Sequence, residues 1–160
     1  MVSSRTRPGS RDFKTLVRSA ATAATFIQVA RAAVLDRNWL TLEDLEPTTV
    51  WLTHGDEERV GHMATGTFLE LWWHPESTLS SSGLRAVLGR ADPDAQLLGD
   101  PVLRLRAPRI SGSGLRYDVE VLSGAMARRA GACVLFLGPG DVDTTSTPGA
   151  TTGRVTADDT

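Results

Sequence analysis

All three histidines of this 160-residue chain, His54, His62 and His74, fall in one short span that also holds Asp56, Glu57, Glu58 and Glu70. Imidazole titrates near neutral pH and a carboxylate can orient it, so the group has the chemistry of a general acid and base or of a metal site. Its spacing matches no HExxH-type arrangement or other ligand pattern, and no metal is assigned to it. The candidates for proton transfer are His54, Asp56 and His62, joined from a later segment by Tyr117, the single tyrosine. The plainer reading makes His62 a loop or capping residue and leaves His54 and His74 on the surface.

The tryptophans, Trp39, Trp51, Trp72 and Trp73, are the second resource. On a helix the adjacent Trp72 and Trp73 point to different sides, so both cannot enter one core. One of them must line a cavity or an interface, because an exposed indole is a large apolar patch. Ligand contact is therefore assigned to Trp51, Phe68, Trp72 and Trp73. There is no glycine-rich phosphate loop, Gly112-Ser113-Gly114 reads as a hairpin turn, and Ser80-Ser81-Ser82-Gly83 lacks the frame of a nucleophile elbow. No cofactor is expected.

Charge and cysteine content narrow the class. The net charge is -2, but residues 1–20 sum to +4 and residues 141–160 to -3, leaving the body near -3. That balance argues against a large phosphate-binding surface, so no nucleic acid is expected. Cys133 is the one cysteine, which excludes an intrachain disulfide and a multi-cysteine zinc site. It sits in the apolar run Ala132 to Leu137, as a small buried hydrophobe. No apolar run approaches the ~18 residues of a membrane span. Arg18, Gln28 and Arg31 interrupt or border the apolar stretch from Leu16 to Ala30, so the chain reads as cytoplasmic.

These residues must be positioned by a β-rich frame. Pro101 to Pro139 reads as three extended segments, with Leu103 and Leu105 alternating with Arg104 and Arg106, and Leu115, Tyr117, Val119 and Val121 alternating with polar residues. The third, Ala132 to Leu137, is apolar on both faces and should be an inner strand. Upstream, a short helix or coil to about Ala24 precedes a strand from Thr25 to Leu35. Trp39 to Leu45 and Thr48 to Thr53 follow as strands, Glu46-Pro47 turns between them, and the three form a meander. After a polar loop from His54 to Arg59, Thr65 reads as the N-cap of a helix from Gly66 to Trp73 that plugs one end of the β-structure. A loop from Ser77 to Gly83, a strand from Leu84 to Leu88 and a turn at Asp92-Pro93-Asp94 complete the frame.

The expected fold is all-β, an antiparallel sandwich or flattened barrel of about seven strands with one short helix. It occupies residues 25–139, between a basic tail with a short helix (1–24) and a disordered acidic, threonine-rich tail (140–160).

In the order and spacing of Leu40-Thr41-Leu42, Pro47-Thr48-Thr49, Leu52-Thr53, Gly61-His62, Phe68 with Trp72, Leu105 to Arg109, Leu115 to Gly124 and Leu135-Phe136, the chain resembles an uncharacterised family of mostly secreted bacterial β-domains. The resemblance covers roughly residues 25 to 139. It departs at His54-Gly55-Asp56, where the family has Asp-Arg-Pro, at Ser80 to Gly83, at Phe136-Leu137-Gly138 and in the missing signal peptide. The frame is kept and its polar loops are rewritten, which suits a copy put to a different use.

Two functions fit. In the first, a non-catalytic β-domain binds an apolar small molecule or a protein partner, a homodimer included, beside Trp72 or Trp73. In the second, a cofactor-free cyclase or isomerase of bacterial secondary metabolism folds a flexible apolar substrate in a closed β-cavity, with help from His54, Asp56, His62 or Tyr117.

Overall fold

A computed structural model describes residues 10–20, 23–55, 58–91 and 99–138. The expected C-terminal tail, the first nine residues, Asp56 and the Asp92-Pro93-Asp94 turn lie outside the described residues. In chain order the elements are α1 (Ser10–Ser19), β1 (Ala24–Asp36), β2 (Trp39–Leu45), β3 (Thr48–Thr53), β4 (Arg59–Ala64), α2 (Thr65–Trp72), α3 (Leu79–Ser82), β5 (Leu84–Arg90), β6 (Val102–Ser111), β7 (Gly114–Ser123), β8 (Arg129–Ala130) and β9 (Cys133–Leu137).

The fold is all-β. Six antiparallel strands close a barrel in the order β1–β2–β7–β6–β5–β9 and back to β1, while β3 and β4 extend the sheet outward from β1 and β8 pairs with the end of β1. Closure removes the exposed sheet edges of the ring itself. The alternation in the sequence places one side chain in two inside: Leu103 and Leu105 of β6, Leu115 and Tyr117 of β7, and Leu84, Ala86 and Leu88 of β5 are buried.

β1 has thirteen residues and makes the closure possible. Its Ala24–Ile27 half pairs with β3 and its Ala30–Asp36 half with β2, both antiparallel and along the same edge. β2 and β3 therefore run in the same direction, end to end, and the expected meander is not formed. Glu46-Pro47 is a bend where the chain leaves the ring rather than a reversal, and the Glu46 amide still donates to the Val29 carbonyl at 2.8 Å across it. A strand this long has room for two short partners in line, which periodicity alone does not reveal.

Further expectations are corrected. There are three short helices among the described residues, not one, and nine strands rather than about seven. The expected polar loop from His54 to Arg59 gives way at Arg59 to β4, which runs through His62 and carries few apolar residues; as an outer strand pairing only with β3, it buries one side chain fully, Met63. Thr65 is the first residue of α2 and not its N-cap, which is Ala64 without a side-chain capping bond. The Thr65 hydroxyl is engaged elsewhere, with Thr49 and with the Glu46 carbonyl.

α2 closes one mouth of the barrel. Phe68 meets Phe26 edge-on at 5.2 Å and Trp72 at 5.9 Å, and Trp72 meets Tyr117 at 6.1 Å. This aromatic column, with the leucines around it, fills the interior, as expected of a barrel with so few strands. α1 lays Leu16 and Val17 on the same core, Ala20 following it, and Phe13 touches His74.

Candidate functional site

The structure separates the residues singled out for proton transfer. His54 follows β3, where its Nε2 lies 3.0 Å from the Thr25 hydroxyl and its amide donates to the Ala23 carbonyl. His62 is exposed on β4 opposite Val50, three residues along β3 from Thr53, or about 10 Å at strand rise. His74 accepts the Glu76 amide on Nδ1, closing its own turn after α2. Asp56 lies outside the described residues. Among the described residues no group of three or more His, Cys, Asp or Glu side chains comes together to hold a metal.

Tyr117 faces the opposite way, into the barrel. Its hydroxyl donates to Gln28 Oε1 at 2.7 Å, Gln28 Nε2 donates to the Thr49 hydroxyl at 3.3 Å, and Thr49 meets Thr65 at 3.0 Å. Burial raises the Tyr117 hydroxyl far above its ordinary value, the Gln28 bond pulling the other way, so the phenol stays protonated. The chain satisfies polar groups that a dry interior would otherwise leave unpaired. The Cys133 thiol is also raised by burial.

The four residues assigned to ligand contact divide as well. Phe68 and Trp72 are fully buried, and Trp51 nearly so, its indole lying over Gly61, where no side chain intervenes. Trp73 is the outward member of the adjacent pair, 50% exposed, with its indole N–H donating to the Pro108 carbonyl at 3.3 Å. That bond ties the end of α2 to a bulge in β6, where the register slips between Arg106 and Arg109 and Ala107 has φ of 52°. Close to it lies an open groove of about 240 Å³ between Leu45, Pro47, Gly66 and the Ile110–Leu115 hairpin.

The outside of the barrel carries what the sequence reading missed. Directly paired residues share a face, and the pairings Val102↔Val87, Val87↔Phe136, Phe136↔Ile27 and Ile27↔Val50 draw one apolar row across five strands. A second row, Gly89↔Val134↔Val29, runs beside it. Phe136 and Val29 are 41% and 43% exposed. Gly89 leaves a hollow between them, part of a groove of about 280 Å³ lined by Val29, Val134, Phe136 and Arg90. The signal is present in the apolar alternate positions of β1 and β9; β9, apolar on both faces, is an inner strand as expected but buries only one of them.

No helix among the described residues is long and apolar enough to cross a membrane. Comparison with protein-family models, with curated proteins and with solved structures finds no match to this chain.

Proposed function

We propose that the protein is a non-catalytic binding module, and that its working surface is the apolar outer wall formed by β6, β5, β9, β1 and β3, with a protein partner as its ligand. The observation that carries this reading is the unbroken outer row Val102–Val87–Phe136–Ile27–Val50, half-buried along its length and exposed at Phe136, with Val29 exposed beside it. The hollow over Gly89 supplies the kind of recess that one apolar anchor of a partner fills. The interior gives the cyclase or isomerase reading little support: that reading needs an enclosed apolar cavity, and Phe26, Phe68, Trp72 and Tyr117 occupy the centre of this barrel.

The test is a random-peptide display selection on the full chain, counter-screened with two variants. A Cβ at Gly89 meets its neighbours only at ordinary contact distances, the nearest at 3.7 Å, and the outer face is open beyond it, so Gly89→Leu should fill the hollow while the barrel stays folded. Phe136→Asp places a charge in the middle of the row. Peptides with an aromatic or aliphatic anchor should bind the natural chain and lose at least tenfold on either variant. Selected peptides that bind all three proteins equally, or no enrichment at all, would overturn the proposal.

A further inference from the structure

Next to the apolar wall, on the β5 and β6 strands it shares and on β7 beyond them, the outer face turns basic. On the outer face of β5, β6 and β7 the register places Arg85 opposite Arg104, Arg104 opposite Glu120, Arg106 opposite Asp118, and Arg109 opposite Arg116. Five arginines thus share one face with two acids, within a patch of roughly 10 by 17 Å at the usual strand spacings. The body of the chain is net acidic, and the fold sorts its charges so that this wall is not.

Two of the pairings, Arg85–Arg104 and Arg109–Arg116, set like charges directly across from each other, an arrangement that destabilises a sheet. Only part of this is relieved internally. Arg109 reaches Asp118 at 3.0 Å, both half exposed, and Arg104 donates to the Ser82 carbonyl at 3.4 Å. Arg116 instead lies over the Trp39 ring, 4.9 Å from its centroid, with its Nε buried and without a partner. Trp39, next to Asp118 on the adjoining β2, is 39% exposed. Gly83, at φ of 72°, leaves the space into which Arg106 extends.

We propose that this wall binds single-stranded nucleic acid, the five guanidinium groups taking phosphodiesters and Trp39 offering its face to a base. The charge complement calls for a polyanion. The exposed indole, held in place by an arginine on its other face, favours a chain of stacking bases over an acidic peptide. An anion lying between the opposed arginines removes the repulsion that the free protein tolerates.

The experiment is fluorescence anisotropy of a labelled short oligothymidylate with the full chain across a salt series. Binding at low salt should weaken with a log–log slope of about -3.5, since each of the five phosphate contacts on a single strand contributes about -0.7. Arg85→Gln and Arg106→Gln should each flatten that slope by about 0.7. Trp39→Ala should weaken binding roughly tenfold at every salt concentration. The melting temperature of each variant verifies folding, and Arg85→Gln should melt at or above the natural chain because it relieves an opposed pair. Absence of binding at low salt, or arginine variants with an unchanged slope, overturns the proposal. Equal competition by polyglutamate together with an unaltered Trp39→Ala affinity also overturns it, and assigns the wall to an acidic protein partner.

Discussion

Tyr117 and Gln28 meet inside the barrel across 89 residues of sequence, hydroxyl to amide oxygen at 2.7 Å, and hold β7 and β1 to each other through the core. Both are buried, so removing the hydroxyl leaves the Gln28 oxygen without its donor. Tyr117→Phe should lower unfolding free energy by about 1–3 kcal/mol in a denaturant titration. Adding Gln28→Met should recover part of the loss, because the stranded amide goes with it. A double variant as weak as the sum of the two singles would show that they do not act as a pair.

Alkaline pH should unfold the protein earlier than its arginine content suggests. Burial raises both Cys133 and Tyr117 above their ordinary values of 9.0 and 10.0. Their neutral forms favour the folded state; that contribution is complete below about pH 9 and declines as pH rises, because the unfolded chain ionises first. The denaturation midpoint should therefore fall from pH 9 upward. Cys133→Ala should remove the earlier part of the decline and Tyr117→Phe the later part; an identical decline in the double variant would refute this.

Two glycines should respond in opposite directions to alanine. At Gly61 the added methyl runs into the Trp51 indole, so the ring must leave its place, at about 1–3 kcal/mol and with a changed near-ultraviolet circular dichroism spectrum. At Gly66, in the first turn of α2, the methyl meets nothing within 4 Å. There Gly66→Ala should stabilise by about 0.5 kcal/mol through lost freedom of the unfolded chain.

The tryptophans should separate optically. Trp51 and Trp72 are buried, and Trp39 and Trp73 are exposed. Acrylamide should quench about half of the emission, and the pair of changes Trp39→Phe with Trp73→Phe should leave a blue-shifted, nearly unquenchable remainder. Strong quenching of that remainder would mean that α2 does not stay seated in the barrel mouth.

Much of the frame was legible because alternation reports directly on a wet and a dry face. The bounds of β2 and β3 follow from it, and so do β6 and β7 to within a few residues. What alternation does not carry is register. That Phe136, Ile27 and Val50 form one row, or that Arg85 stands opposite Arg104, depends on which strands lie side by side. Nearness in sequence misled for the histidines: a hairpin and a helix intervene, and each of the three ends on a different part of the surface. Net charge is equally uninformative about placement, since a sum over residues is blind to the side of the barrel on which each one stands.

β1 divides its edge between the ring and the β3–β4 hairpin, and this gives the hairpin a mechanical character. The hairpin is a gusset sewn onto a seam that six strands have already closed, covering the stretch of β1 from Ala24 to Ile27 that β2 is too short to reach. Its inner residues brace the core through Thr49 and Trp51, yet the ring's own hydrogen bonds do not pass through it. Force or mutation that peels it away should fray one border of the barrel and bare a fresh strand edge while the hoop beneath holds.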